Sequence, residues 1–281
     1  AKSFTWEKTG LETLSFIRDV HLKGSHFQKE IKKKDKKNIA YLSPLLPQRS
    51  GIAKFSSQLL PHLSQYFNID IFIDDKYFGK RQIEEYLGVR DIFFQSELKK
   101  MAGSYDLIWY HIGNNVEFHK DIYELAWDIP GIVELHDYNI HPFLQQAYLN
   151  SEPDKYRMFL EEGYGTKGLQ HYYQIINNNA SPDIWIYPLC HAIVKRSKKV
   201  IVHSQWVARQ LLSIQIPVFV VPLFYASVDI EEQTSTPTDY RKKLGINDNS
   251  FIITCLGFIN ENKRPDVVIK AVRILIDKGY T

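Results

Sequence analysis

The stretch NIAYLSPLLPQRSGIAKFSSQLL at residues 38–60 decides the fold. Its first five residues form an apolar run that predicts a buried parallel strand, and a proline-containing loop follows at 43–50. Gly51 then opens a segment whose apolar residues, among them Phe55 and Leu59, recur at helical spacing. In open α/β sheets, ligands bind outside the carboxyl ends of the strands, beside helix N-termini that favour anions. Because the loop contains neither GxGxxG nor GxxxxGK[ST], it is either a ligand loop or a plain connection in which Gly51 accepts an unusual backbone angle.

The net charge of +3 over 281 residues has a local source. Residues 29–37 hold six lysines against two acidic residues, so the rest of the chain carries a net charge of −1. That balance argues against a nucleic-acid-binding face, and we expect no nucleic-acid partner. The lysine run itself is either a solvated linker or a patch that attracts a membrane surface or phosphate groups.

Cysteine content and hydropathy indicate a cytoplasmic protein. The two cysteines, Cys190 and Cys255, offer neither a disulfide framework nor a metal-ligand spacing, so we expect two reduced thiols in the core. No window has about 18 uninterrupted apolar residues, the length a membrane span requires. Contact with a membrane would therefore be peripheral, at its inner face.

Short apolar runs alternate with helical patterns along most of the chain. This alternation is typical of βαβ units and predicts an α/β fold with a Rossmann-like, doubly wound parallel sheet. Residues 140–195 lack strand patterns and predict a series of helices. The predicted strands cover residues 38–42, 68–73, 106–112, 132–135, 200–202 and 218–221.

Composition changes divide the chain further. A polar, proline-containing stretch at 230–239 predicts a linker. After it, the strand predicted at 251–256 and the helix predicted at 266–278 are too few elements to bury a sheet face. We therefore expect the end of the chain to be the incomplete start of a second Rossmann-like domain. The predicted divisions are an amphipathic helix and lysine-rich linker at 1–37, a first domain at 38–229, a linker at 230–239, and the second domain at 240–281.

Polar side chains follow three of the predicted strands. His136 and Asp137 come after one strand, Asn114 after another, and His203 with Ser204 after a third. A histidine there can donate a proton or bind a substrate hydroxyl group, with the adjacent acid orienting it. The alternatives are a histidine that satisfies local backbone groups and an asparagine that accepts a turn conformation.

Two cations mark the start of the second domain. Lys263 and Arg264 follow Gly257 at a predicted strand–helix junction, where they would suit a diphosphate or would simply be solvated surface charges. We predict no metal site, because neither HxxxH nor HxH spacing occurs in the chain.

An ordered set of motifs resembles the group 1 (family 4) glycosyltransferases, and most closely the branch that builds O-antigen and other cell-surface polysaccharides. The motifs are LSPLLPQRSGIAKFSSQLLPHL, YHIGNN, VELHDY, VIVHSQWVARQL, VVPLF and FIITCLGFINENKRPDVVIKAV. The resemblance implies a GT-B fold of two facing Rossmann-like domains. It implies transfer of a sugar, mannose being one candidate, from a GDP- or UDP-sugar to a glycan or lipid-linked glycan with retention of configuration, and without a DxD-bound metal or other cofactor.

The resemblance also assigns roles to residues. Gly51, with Ser50 before it, would let the backbone approach the donor diphosphate, and His136, assisted by Asp137, would contact the transferred sugar. Lys263, with Arg264, would neutralise the leaving diphosphate. The positions expected to bind substrate are Ser50, Asn114, His203 and Ser204.

Two departures from the family pattern bear on activity. Phe258 follows Gly257 where the family often has arginine, and the paired glutamates that bind donor sugar and ribose would lie beyond Thr281. Residues 3–20 resemble the closing helix of such an enzyme, which predicts either tandem modules or an N-terminal docking extension. Alternative functions are a non-catalytic glycan-binding or scaffolding module and, less favoured, a sugar-nucleotide epimerase.

Overall fold

The computed structural model describes residues 36–76, 88–223, 239–247, 250–255 and 264–279. The chain divides into two compact units, Ala1–Ala226 and Ser227–Thr281, which are treated separately below. The predicted helix and lysine-rich linker at 1–37 lie almost entirely outside the described residues, as does most of the predicted linker at 230–239.

The first unit is built on one seven-stranded sheet in which every strand pairs in parallel with its neighbours. Its spatial order is β3-β2-β1-β4-β5-β6-β7. The chain therefore adds β2 and β3 on one side of β1, returns to place β4 on the other side of β1, and continues outward there to β7. The sequence prediction of a Rossmann-like, doubly wound α/β fold is confirmed. The strands are β1 Asn38–Leu42, β2 Asn68–Ile73, β3 Asp91–Phe94, β4 Leu107–Ile112, β5 Ile132–Leu135, β6 Lys199–Val202 and β7 Val218–Val220.

Helices follow most strands, and several are inserted between β5 and β6, where the sequence predicts a helical region. The helices of the first unit are α1 Gly51–Leu63, α2 Leu98–Met101, α3 Val116–Asp128, α4 His141–Tyr148, α5 Pro153–Tyr164, α6 Thr166–Ile176, α7 Cys190–Arg196 and α8 Gln205–Gln210, with short 3-10 turns at Gln95–Glu97 and Ala102–Ser104.

Both faces of the sheet are covered, as a parallel sheet requires. Every residue of β4 is buried, and alternate residues join different apolar clusters. Trp109 packs with Tyr41 and the α1 residues Leu59 and Leu60 on one face. Tyr110 lies in the larger cluster on the other face, with residues of α3 to α7. This arrangement fixes the strand ends that carry the polar residues predicted above.

The second unit contains two described helices, α9 Tyr240–Leu244 and α10 Pro265–Asp277. The prediction of a strand at 251–256 is not met in its described part, because residues 251–255 carry no strand. The prediction of two core thiols is half right: Cys190 is buried in the first unit, but Cys255 is exposed in the second. Within the described part of the chain, no helix combines the length and the apolar character needed to cross a bilayer.

Candidate functional site

The loops predicted to bind ligand converge at the carboxyl ends of β1 and β4, where the winding direction reverses. Ligands of doubly wound sheets bind in the crevice at this reversal. Two helices begin there with polar caps: the Ser50 side chain accepts the Ile52 N–H at 3.2 Å at the start of α1, and the Asn115 side chain accepts the Phe118 N–H at 3.2 Å at the start of α3. Each cap accepts from one of the first N–H groups of its helix, and a helix start has several such groups without an intrahelical partner.

Gly51 is the first residue of α1, and its surroundings test whether the backbone requires glycine at this position. It is exposed, it has no left-handed backbone angle, and a Cβ built on it would meet no atom within 4 Å. The backbone therefore does not require glycine at this position. The missing side chain instead leaves open space beside the helix N-terminus, and the first turn of α1 contains no acidic residue that would repel an anion.

A cleft of about 550 Å³ lies next to this helix start. Its volume falls in the range of about 300–1,000 Å³ that is usual for small-molecule sites. It is bounded by the loop before α1, the end of β2 and the first turns of α3, and it carries basic and acidic groups in equal number. The lining residues are Pro47, Gln48, Arg49, Asp74, Lys76, Val116, Glu117, Phe118, Lys120 and Asp121.

Behind the crevice, three histidines and a glutamate from β4, β5 and β6 form a contiguous cluster. His111 Nδ1 lies 2.9 Å from His136 Nε2, and His136 Nδ1 lies 3.2 Å from His203 Nε2. The Phe55 ring of α1 covers them, with its centroid 5.2 Å from that of His136. Glu134 lies against all three imidazoles. We call His111, Glu134, His136 and His203 the histidine cluster.

The backbone fixes the proton positions in this cluster when its imidazoles are neutral. His203 Nδ1 lies 2.9 Å from the Val221 carbonyl oxygen, so it must donate, which leaves His203 Nε2 as an acceptor. His136 then donates a hydrogen bond from Nδ1 to His203. At Nε2 it accepts the hydrogen bond that His111 donates from Nδ1. Both ring nitrogens of His136 are thus engaged by other imidazoles. His111 Nε2 is left without a proton and without a hydrogen-bond partner.

Glu134 faces that unpartnered nitrogen. Its Oε2 atom lies 3.6 Å from His111 Nε2, and like that nitrogen it has no hydrogen bond, although the side chain is only 3% exposed. Burial raises the pKa of Glu134 to about 8, and the Trp109 indole N–H offsets part of the rise. Burial also lowers the pKa values of His111 and His136 well below their usual range, and neighbouring imidazoles lower them further. The cluster is therefore uncharged near neutral pH.

Asn114 and Asp137 join the loops that follow β4 and β5. The Asn114 N–H donates to Asp137 Oδ2 at 2.9 Å, and the Asn114 side-chain oxygen accepts the Phe143 N–H at 3.0 Å at the start of α4. A Cβ at Gly113 would approach Ile52 Cδ1 to 2.6 Å and the buried His119 Nε2 to 2.8 Å, so these side chains would have to shift if the glycine were replaced. Burial raises the pKa of Asp137, and the Asn114 N–H partly opposes that rise.

The predicted site residues therefore fall into three groups. His136 contacts His203, and Asn114 contacts Asp137. Ser50 and Ser204 are helix caps, Ser204 accepting the Val207 N–H at 3.2 Å. In the second unit, Arg264 is exposed and pairs with Asp266 at 3.0 Å, whereas Lys263 lies outside the described residues.

The sequence prediction did not include His111 and Glu134 among the site residues. The signal of each was a polar residue inside a buried strand, His111 in LIWYHI and Glu134 in IVEL. Spacing along a single element cannot reveal this group, because its members come from different strands. The ligand atoms of His111, Glu134 and His136 all lie within 4.8 Å of one another.

Comparison of the chain with protein-family models and with curated proteins found no match.

Proposed function

We propose that the chain is the acceptor-side domain, with the start of the donor-side domain, of a retaining glycosyltransferase that uses a nucleotide-sugar donor. The observation that carries the proposal is the meeting of the loops after β1 and β4 at the point where the sheet reverses, beside a helix start that is open at Gly51. An uncrowded helix N-terminus without acidic residues suits a diphosphate. The ordered motifs described above make a sugar nucleotide the ligand we expect there.

The roles follow from position in the chain. The N–H groups at the start of α1 would approach the diphosphate, and Arg49 would add positive charge beside them. Asp137, which follows β5, and Asn114, which follows β4, would face the hydroxyl groups of the sugar or acceptor. The resemblance alone assigns Lys263 and Arg264, in the second unit, to charge stabilisation of a diphosphate, and within that unit Arg264 pairs with Asp266. Acceptors would be glycans or lipid-linked glycans at the cytoplasmic face of a membrane.

Binding is measured first, because it reports on a donor site without requiring turnover. Isothermal titration with UDP, GDP and a panel of their sugars should give saturable binding to one nucleotide class, with a dissociation constant of about 1 mM or tighter, about −4 kcal/mol. Release of nucleoside diphosphate is measured in parallel, and any turnover should fall about a hundredfold in His136→Ala and Lys263→Ala. No heat with any nucleotide or sugar nucleotide at millimolar concentration would contradict the proposal.

A second candidate is a non-catalytic glycan-binding module. It is favoured by the fact that both ring nitrogens of His136 contact other histidines, so neither is free to act on a substrate in this arrangement. The same titrations separate the two candidates. Glycan binding without any nucleotide-sugar binding supports the module, whereas nucleotide-sugar binding supports the transferase.

A further inference from the structure

We propose that His111, Glu134 and His136 bind one divalent metal ion of the zinc class, with His203 as the outer partner that orients His136. The inference goes beyond the proposed transfer reaction and does not depend on it. It rests on the chemistry of the donors, their separations, and two buried polar atoms that lack partners.

The donor set is the first argument. Two imidazoles and one carboxylate form a recurrent protein site for Zn²⁺, in which a fourth position is left for water or another ligand. The donors come from the adjacent strands β4 and β5, with His111 and Glu134 directly paired in the sheet register and His136 immediately after β5. Rigid strands hold these side chains on the sheet face that α1 covers, beside Trp109 and Phe55.

The separations are the second argument. Zinc binds nitrogen and oxygen at about 2.0–2.2 Å in tetrahedral sites, which places neighbouring donor atoms about 3.4 Å apart. Glu134 Oε2 lies 3.6 Å from His111 Nε2, and Glu134 Oε1 lies 4.0 Å from His136 Nε2. All three ligand atoms fall within 4.8 Å of one another. Small side-chain rotations would bring them to bonding distance, and His136 Nε2 would then bind the ion instead of accepting the 2.9 Å hydrogen bond from His111 Nδ1.

The unpartnered atoms are the third argument. His111 is fully buried and Glu134 nearly so, yet His111 Nε2 and Glu134 Oε2 have no hydrogen bond and face each other. A buried polar atom without a partner destabilises the folded state, because its contact with water is lost and not replaced. An ion bound between these two atoms would satisfy both. His136 Nδ1 would still donate to His203, which the Val221 carbonyl anchors, and this is the outer-shell arrangement that usually orients a metal-bound histidine.

The test begins with the unmodified chain, stripped with a chelator and titrated with Zn²⁺ and Co²⁺. We expect one ion per chain, visible Co²⁺ absorption of a four-coordinate site, and a higher melting temperature with the ion than without it. X-ray absorption at the zinc edge should give a first shell of nitrogen and oxygen with imidazole scattering. A shell that contains sulfur or lacks imidazole would overturn the inference. The absence of binding at about 100 μM free ion would also overturn it, since a dissociation constant of about 100 μM, a binding free energy of about −5.5 kcal/mol, is the weakest that we expect of a resident site.

Graded variants then locate the ion. Glu134→Gln and His111→Gln should weaken binding about a hundredfold or more, and His203→Gln should weaken it about 10–100-fold, as is usual for an outer-shell partner. The matched control is His171→Gln, a buried histidine outside the cluster whose ring nitrogen accepts the Asp183 N–H. Unchanged affinity in the two ligand variants, or equal loss in the control, would contradict the assignment. If a variant fails to fold, the absorption data on the unmodified chain decide the question.

Discussion

Asp70 and Glu134 are both buried carboxylates in the sheet, but their surroundings differ. Asp70 of β2 accepts two hydrogen bonds from Arg90, one of them Nε to Oδ1 at 2.8 Å, and a third from the Tyr105 hydroxyl at 2.8 Å. Glu134 has no cationic partner, so burial dominates and its pKa rises. A buried carboxylate needs either a paired cation or a proton, and these two residues represent the two solutions.

The Asp70–Arg90 pair gives a stability prediction. Arg90→Ala should lower the free energy of unfolding by about 3 kcal/mol, because it leaves a buried carboxylate with a neutral hydroxyl as its remaining partner. Denaturant unfolding measures the loss. Lys99→Ala is the matched control, since it removes a cation from the exposed Lys99–Asp128 pair and should cost about 0–1 kcal/mol. Equal losses in the two variants would show that the Asp70 carboxylate does not depend on Arg90.

Among the elements, α1 bears most directly on function. Its N-terminus is capped by Ser50, opens at Gly51 and contains no acidic residue in the first turn. The sequence predicted this helix and its start correctly, because the apolar spacing after Gly51 is helical. A backbone requirement was one of the two explanations left open for Gly51. The structure excludes it, because Gly51 has no left-handed backbone angle.

Gly51→Asp tests this helix start. A carboxylate in the first turn stabilises a helix by about 0.3–1 kcal/mol, so the melting temperature should stay the same or rise. The same charge should repel a diphosphate and abolish nucleotide-sugar binding in the titration. Gly51→Asn, which adds a side chain of the same size and shape without charge, is the control and should retain more binding. Unchanged binding in Gly51→Asp would place the diphosphate elsewhere.

Element prediction failed where the pattern was weak. β3, with the sequence DIFF, was not predicted, because it is four residues long, begins with an exposed aspartate and lies at the sheet edge, where burial is partial. The strands on either side of the reversal point were predicted because both of their faces are buried and their apolar runs are continuous.

At the scale of the whole molecule, the alternation of strands and helices was enough to predict a doubly wound sheet, and therefore the edge at which ligands bind. The contacts within the histidine cluster were not predictable in the same way. Whether His136 faces a substrate or another histidine depends on which strands become neighbours and on their register, and β5 pairs with β6 only after a long helical insertion. Spacing along the chain does not encode that relation.

The central claim is that the loops after β1, β4, β5 and β6 form one nucleotide-sugar site. The most direct measurement is a map of amide chemical-shift changes in the unmodified chain on titration with UDP- and GDP-sugars. We expect saturable changes with one donor class, concentrated at 50–52, 113–115, 136–138 and 203–205. Changes confined to other parts of the chain, or none at millimolar donor, would contradict the claim.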